Sequence, residues 1–419
     1  MPRASSPAST ARPERSRPRS NPCSVRTPGA AHDPPRAPTS LIRPCRIAVV
    51  LLGAGLAGAA ALFAAEPPGD GLPANEREPL EAPLDLRGQF PLGLPFIDLI
   101  PRSAFLTGVG ALRWHLGLSY LSTHAASDAL LTRFASESTR PPDGRVTEPV
   151  LRQTAAADPS GHAYYVDGET ARLTVGLAWG VSRRVELDAT LPIVAHGGGV
   201  LDSGINQFHD FLHLPDGGRP DFANDQYVVG LTDAGGTVYL GEAPSGAGLG
   251  DLALEARVAL ARPADDRFAL AATGSIELPT GDPDRLDGNG SVDAAAGLEA
   301  TWRADRSTWH LGGGYALPGR FDPAPGLAPR NRISAYASSA ILLRSRNSVL
   351  IALHAVAGPF GREQGGSLGG TSIETSFGYR HLTAGGDSFE AALLENLTAS
   401  HNVPDVGLYL GWGFGTTPR

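Results

Sequence analysis

Apolar and polar residues alternate along most of the chain after residue 111. In the first alternating segment the apolar positions are Leu112, Trp114, Leu116, Leu118 and Tyr120. A repeat of two residues places the two sets on opposite faces of a β-strand. We therefore predict about 12 strands of roughly 11–15 residues each. The other segments are 172–179, 185–193, 249–261, 266–279, 290–303, 306–317, 330–344, 347–358, 369–381, 386–399 and 403–414.

The strand lengths and the connections favour a membrane barrel. A tilted strand crosses a membrane in about 9–11 residues. Tight turns, such as those at 180–182 and 262–266, alternate with long loops, such as 124–168 and 195–248. Short turns at one rim and long loops at the other are typical of outer-membrane proteins. We predict an all-β fold over residues 111–414, a transmembrane antiparallel up-and-down β-barrel of outer-membrane type. A soluble two-sheet sandwich is the alternative.

The strand face opposite the apolar one carries charges of both signs. A charge that faced lipid near the membrane centre would cost about 2–4 kcal/mol. We therefore expect these residues to line the lumen, while the apolar set contacts outer-membrane lipid. The candidates for the lumen are Glu186, Asp188, Asp251, Glu255, Arg257, Glu277, Asp293, Glu299, Arg303, Arg332, Glu374 and Arg380.

The N-terminal region indicates export. Residues 1–46 are rich in proline, serine and arginine, which predicts a disordered extension, unless the true start of translation lies further downstream. Residues 47–65 are apolar and small after the basic 43–46, as in a signal-peptide core; a membrane anchor is the alternative. Residues 66–110 form a lead segment that is either periplasmic or enters the lumen. We expect a bacterial outer-membrane location.

Composition narrows the classes of function. The chain has 419 residues, and its only cysteines are Cys23 and Cys45, so the barrel region offers neither a disulfide nor a thiolate metal site. Residues 1–65 hold 9 of the 35 basic residues and 2 of the 43 acidic ones, which leaves 26 against 41. That acidic balance argues against nucleic acid as a partner. We expect no cofactor.

Two short motifs imitate a serine hydrolase. His196-Gly-Gly-Gly199 resembles an oxyanion-hole signature, and Ser367 lies in a G-x-S-x-G motif that Asp387 and His401 follow in triad order. A nucleophile elbow needs a strand before the serine and a helix after it. Ser367 instead follows a loop and precedes a strand pattern. We therefore do not expect an enzyme of this class.

The loop that contains the first motif is the main candidate for specificity. His209 and His213 are four residues apart, so one helical turn would place both on one side, and His196 would be a third metal ligand. Two other interpretations remain open, a structural loop and a loop that gates solute passage. The gating candidates are His196, Asp202, His209, Asp210, His213 and Arg219.

Several motifs together resemble a known bacterial family. They include Asp167-Gly-Glu169, Leu191-Pro-Ile193, His196-Gly-Gly-Gly199 and Gly248-Leu-Gly-Asp251. The chain resembles the family called domain of unknown function 3187 over about residues 86–414. The resemblance implies an outer-membrane barrel and no established activity. The short stretch 278–282 is also similar to barrels linked to uptake of aromatic compounds.

Taken together, the patterns predict passive or facilitated passage of small solutes through the barrel. The loop 195–248 would fold inward as a constriction. One alternative is a closed barrel with a structural role. Another is a receptor or enzyme at the outer face that uses the loop 196–219. The sequence determines neither the solute nor the oligomeric state.

Overall fold

The computed structural model describes residues 74–212, 217–233, 235–343, 346–396 and 402–416. The predicted extension 1–46 and signal-peptide core 47–65 lie outside the described residues, and so does His213.

Fifteen strands lie in the described ranges, and twelve of them close into one antiparallel barrel. In chain order the strands are β1 (Leu112–Ala126), β2 (Ala163–Ser182), β3 (Val185–Gly197), β4 (Val228–Asp233), β5 (Gly236–Leu240), β6 (Ala247–Leu249), β7 (Leu252–Ala261), β8 (Phe268–Leu278), β9 (Asp293–Arg303), β10 (Ser307–Leu317), β11 (Arg332–Leu342), β12 (Asn347–Ala357), β13 (Thr371–Leu382), β14 (Ser388–Asn396) and β15 (Val406–Thr416).

Closure comes from the pairing of the first strand with the last. Each barrel strand pairs with the next along the chain, β3 pairs with β7, and β15 returns to β1, with Leu118 opposite Leu410. The prediction of a twelve-stranded, antiparallel, up-and-down barrel is confirmed. Some boundaries differ, because β2 has 20 residues and extends beyond the span to pair with β4.

The outward face of the barrel is apolar. Leu298, Leu311 and Leu408 are each more than half exposed, as lipid-facing side chains are. All five tryptophans of the chain also face outward, within a few residues of the strand ends that carry the short turns; they are Trp114, Trp179, Trp302, Trp309 and Trp412. An aromatic girdle marks a membrane interface. We call the rim with the short turns the turn rim and the rim with the long loops the loop rim; in outer-membrane barrels the short turns are typically periplasmic.

A charge placed on this face tests the membrane span. We expect Leu311→Arg, at the middle of β10, to lower the free energy of unfolding in lipid by about 2–4 kcal/mol. Arginine at Ser307, on the turn rim of the same strand, should cost only about 0–1 kcal/mol, because it reaches the interface. Denaturant titration in lipid vesicles measures both values. Equal costs at the two positions would contradict the assigned span.

The loop rim carries most of the remaining structure. The helices are α1 (Ala74–Glu81), α2 (Asp128–Ala135), α3 (Glu148–Ala157), α4 (Asp202–Leu212) and α5 (Arg362–Gly365), with short 3-10 helices at Arg219–Asp221, Pro283–Arg285 and Gly366–Gly369. Helices α2 and α3 pack on the extended part of β2, where the ring of Phe222 stacks on those of Phe134 and Tyr165. In the described part of the chain, no helix has both the length and the apolar character needed to cross a membrane.

The N-terminal segment occupies the barrel interior. From α1 at the turn rim, the chain ascends to a turn at residues 90–96 below the loop rim and then descends. Its backbone N–H groups meet inward side chains of the wall on the way down, at Asp293, Thr301 and Glu186 in turn. Of the two locations expected for the lead segment, residues 82–106 take the lumen. We call these residues the plug.

Candidate functional site

The lower end of the plug is fixed by arginines of the wall. Arg380 of β13 donates to the carbonyl of Pro79 in the last turn of α1 (2.9 Å) and to that of Pro83 just after the helix (3.0 Å). A cation is favoured there because the C-terminal end of a helix carries partial negative charge. Arg303 of β9 pairs with Glu81, the last residue of that helix, at 2.6 Å. The two arginines hold α1 across the turn rim.

Arg257 of β7 joins two strands of the wall to the plug. It pairs with Glu186 of β3 and with Glu299 of β9 (2.8 Å to Oε2), and it donates to the carbonyl of Ser103 in the plug. Glu186 in turn accepts the backbone N–H of Thr107. All three wall side chains are buried. Their charges are therefore satisfied by one another and by the plug backbone.

The middle of the plug carries its own ion pair. Asp85 on the ascending arm lies 2.6 Å from Arg102 on the descending arm. His115 of β1 lies 3.0 Å from Asp85, and its Nε2 lies 2.8 Å from the hydroxyl of Tyr409. Arg102 also approaches Glu255 of β7 at 3.8 Å. Charged groups of the plug therefore join its two arms to each other and to the wall.

The top of the plug is closed by an apolar cluster. Arg87 donates to the carbonyls of Gly93 (3.4 Å), Leu94 (3.3 Å) and Phe96 (2.5 Å), so it fixes the turn from inside. The ring of Phe96 packs against Phe321 and Phe360 of the outer loops, at centroid distances of 5.4 and 5.9 Å.

We call Phe90, Phe96, Leu286, Phe321 and Phe360 the roof; all five are buried in one cluster. The roof joins the plug to three outer loops. It therefore closes the lumen towards the loop rim.

The wall residues predicted to line the lumen all face it. Eleven of the twelve are buried, and the side chain of Arg303 is 17% exposed. Most of them contact the N-terminal segment: Glu277 lies 3.6 Å from Arg87, and Arg332 donates to the carbonyl of Ile97 at 3.4 Å. Asp251 instead accepts the N–H of Gly281, in the loop between β8 and β9. Most of these charges therefore hold the N-terminal segment, whereas Asp188 borders the cavity described below.

The sequence did not predict which residues of the plug meet the charges of the wall. Asp85, Arg87, Asp98 and Arg102 are the buried or half-buried charges of the plug. The only signal in the sequence was their presence in the stretch 82–106, which is otherwise largely apolar. Which wall residue each one meets depends on the closure of the barrel around them.

A cavity of about 460 Å³ remains beside the plug. It lies between the plug and the wall strands β14, β15, β1, β2 and β3, and it reaches the turn rim at residues 384–386 and 413–415. We call it the vestibule. Its lining includes Asp85, Arg102, His115 and Asp188. The lumen is thus closed by the roof at the loop rim but retains space at the turn rim.

The gating and metal candidates of the loop 196–219 are dispersed. His196 is buried, with Nδ1 3.0 Å from Thr170 Oγ1 and Nε2 3.6 Å from Asp287. Asp210 is exposed on α4; His209 also lies on α4, but its side chain is outside the described set, as is all of His213. No group of three His, Cys, Asp or Glu residues suited to a metal ion occurs within the described ranges.

Asp202 and Arg219 are brought together at the base of this loop. Arg219 pairs with Asp202 and with Asp405 next to β15, and Asp202 also accepts the N–H of Asp225 at 2.8 Å. Burial raises the pKa of Asp202, although Asp225 N–H and Arg219 both act in the opposite direction. Through Arg219, the beginning and the end of the loop segment 202–219 are joined to each other and to the residue before β15 at the barrel rim.

Replacing Arg219 tests whether it holds the loop 196–219 to the barrel rim. We expect Arg219→Ala to speed chymotryptic cleavage at Phe211 in vesicle-embedded protein roughly tenfold, because two acids lose their partner and the loop opens locally more often. The matched control is Arg140→Ala, which removes a half-exposed pair with Asp221 of the same loop and should change the rate little. Equal rates in the two variants would contradict the fixation.

The residues of the hydrolase-like motif are far apart. Ser367 lies in the 3-10 helix at the loop rim, where its hydroxyl is 2.6 Å from that of Tyr164. Asp387 lies in the turn before β14, at the opposite rim. His401 lies outside the described residues. The order of these residues along the chain therefore does not correspond to a triad in space.

Solved structures of similar shape include outer-membrane channels and transporters. The outer membrane channel COG4313 from Pseudomonas putida F1 is 13% identical, with a TM-score of 0.48 over 76% of this chain and 100% of that one. The toluene transporter TodX from P. putida is 10% identical, with a TM-score of 0.34 over 75% and 94%. The translocator domain of the autotransporter NalP from Neisseria meningitidis is 11% identical, with a TM-score of 0.36 over 74% and 89%. Likenesses of this degree say nothing about what this chain carries.

Sequence comparison identifies the family. No curated protein matches the chain in sequence. The model of the family described as "Protein of unknown function (DUF3187)" matches residues 146–416, which is more than half of the chain. The resemblance drawn from the motifs at 167–169, 191–193, 196–199 and 248–251 is thereby confirmed. This chain is a member of the DUF3187 family, built as a twelve-stranded barrel of outer-membrane type.

Proposed function

We propose that this protein is a small-solute channel of the bacterial outer membrane that is closed at rest by its own N-terminal segment. The predicted signal peptide would deliver it, and the apolar outer face with its tryptophan girdle would seat it in lipid. Solutes would pass when the plug is displaced within the lumen. No catalytic role is included in the proposal.

The observation that carries this proposal is the set of charged contacts that hold the plug to the wall. Below the roof, arginines of the wall donate to backbone carbonyls of the plug, as at Arg257 and Arg380. Smaller apolar clusters, which include Leu84, Leu99 and Phe105 of the plug, lie between these polar contacts. Water can replace such contacts when the plug moves, whereas an apolar contact of the same area would resist wetting. The vestibule already provides space beside the plug.

A disulfide that locks the plug to the wall tests the proposal. Ala104 N lies 2.8 Å from Thr301 Oγ1, and the native cysteines are only Cys23 and Cys45, so cysteines at 104 and 301 would be the only pair in the barrel region. We expect liposomes that contain the reduced double variant to take up small solutes. Oxidation should abolish uptake and reduction should restore it.

The single variant Ala104→Cys is the control, since oxidant should not change its uptake. If neither wild type nor the reduced double variant passes solutes of any charge, the barrel is a closed structural one. If oxidation leaves uptake unchanged, the path does not require plug movement.

A further inference from the structure

One charged residue of the vestibule, Asp188, has no ion-pair partner within 4 Å among the described residues, although Arg102 and Arg257 act on it from further away. Among the other charges of the lining, Arg113 pairs with Glu78 at 2.8 Å, and Arg380 pairs with Glu390. Asp188 of β3 is 8% exposed, and its Oδ2 has no hydrogen-bond partner within the described residues. Its carboxylate is thus buried in the wall of an open cavity and unpaired.

A second carboxylate lies next to Asp188 and increases the local negative charge. Asp188 is directly opposite Glu255 in the pairing of β3 with β7, so two carboxylates lie side by side on the lumenal face. Like charges at directly opposite positions destabilise a sheet. Of the two arginines nearby, Arg102 is already 2.6 Å from Asp85 on the ascending arm of the plug. The other, Arg257, pairs with Glu186 and Glu299. An additional positive charge beside Asp188 would relieve the repulsion.

We infer that the vestibule binds a small organic cation, a primary ammonium ion with a short hydrocarbon stem, through the carboxylate of Asp188. The ammonium group would donate to Oδ2, which needs a donor. The stem would contact Phe105, Ala111 and Ala178, which also line the cavity.

The size and the donor set of the vestibule favour an organic cation over a metal ion. A cavity of about 460 Å³ is far larger than an ion needs. The described residues also provide no group of three acidic or histidine ligands around it. An anion at the same position would be repelled by the carboxylate of Asp188.

The inference deepens the proposed function by naming the class of solute, and it rests on that function for its role in transport. Binding itself does not depend on transport. Failure to bind a cation would therefore leave the disulfide-lock experiment unaffected, and failure of that experiment would leave the binding result standing.

Calorimetry on the detergent-solubilised barrel, with n-butylamine as the probe, tests the inference. Butanoate and n-butanol are controls of matched size, and sodium and magnesium chlorides test inorganic cations. We expect n-butylamine to bind, and butanoate and magnesium not to bind. Asp188→Asn should weaken butylamine binding by roughly tenfold or more, because a charge-assisted bond is lost. Glu374→Gln removes another buried lumenal carboxylate, which lies outside the vestibule, and should leave binding unchanged.

Labelling gives a second measurement if the asparagine variant does not fold. A cysteine at Ala178 would line the vestibule, and n-butylamine should slow its reaction with a thiol reagent severalfold, while butanoate should not. Absence of butylamine binding to the wild type overturns the inference, and so does equal affinity for butanoate. Unchanged affinity in Asp188→Asn, or lack of protection at position 178, would overturn the assignment to Asp188.

Discussion

Arg257→Ala should lower the free energy of unfolding by about 3–5 kcal/mol, the usual cost of breaking a buried ion pair from one side. The side chain is 4% exposed and lies between Glu186 and Glu299, so alanine would leave two buried carboxylates without their cation. The plug would also lose its bond at the carbonyl of Ser103. Denaturant titration in detergent or lipid, followed by electrophoretic mobility, measures the loss.

Two further variants separate the ion pair from general sensitivity to mutation. Arg152→Ala removes an exposed pair with Glu148 in α3 and should cost about 0–1 kcal/mol. The triple change Arg257→Met, Glu186→Gln and Glu299→Gln should recover much of the stability, because no buried charge is left unpaired. A triple variant as unstable as Arg257→Ala would argue against this explanation.

The second large effect is expected at the roof. Phe96 is fully buried against Phe321 and Phe360, so Phe96→Ala should leave a cavity and cost about 3–5 kcal/mol. Because the roof closes the lumen towards the outside, the same variant should also raise solute uptake in the liposome assay. Stability and uptake are measured on the same preparation.

The matched control is Phe211→Ala on α4. This phenylalanine is 81% exposed, so its loss should change stability by no more than about 0.5 kcal/mol and leave uptake unaltered. If Phe96→Ala were destabilised while uptake stayed at the level of wild type, the roof would be a packing feature and not the barrier.

The barrel was predictable from the sequence because its signal is local. Alternation along β9 or β10 is present within eleven residues, and a period of two assigns each side chain to one face without reference to any other strand. The same alternation assigned Arg257 and Glu277 to the lumen. Alternation does not specify how far a strand continues beyond the membrane, so the extension of β2 to Ala163 was missed.

A lumenal location of the lead segment was one of two expectations, but the contacts of the plug were not predictable, because they join residues distant in sequence. Arg332 meets Ile97 across 235 positions, and Arg380 meets Pro83 across 297. Nothing in the lead segment itself indicates those partners. The histidines and glycines of the loop 196–219 predicted a role for that loop, but the segment that fills the lumen is 82–106. Composition does not reveal which segment a barrel encloses.

The sequence by itself determined the strand pattern, the inward position of the charges and the membership of the family, since each depends on short-range periodicity or on local motifs. Only the tertiary structure decided what the charges do. A lumenal carboxylate holds the plug, or remains free for a ligand, according to whether an arginine lies within hydrogen-bonding distance. Glu186 has Arg257 as such a partner, and Asp188, two residues further along the same strand, has none among the described residues. Whether an arginine lies close to each carboxylate depends on how the barrel closes around the plug, and no local sequence pattern encodes that closure.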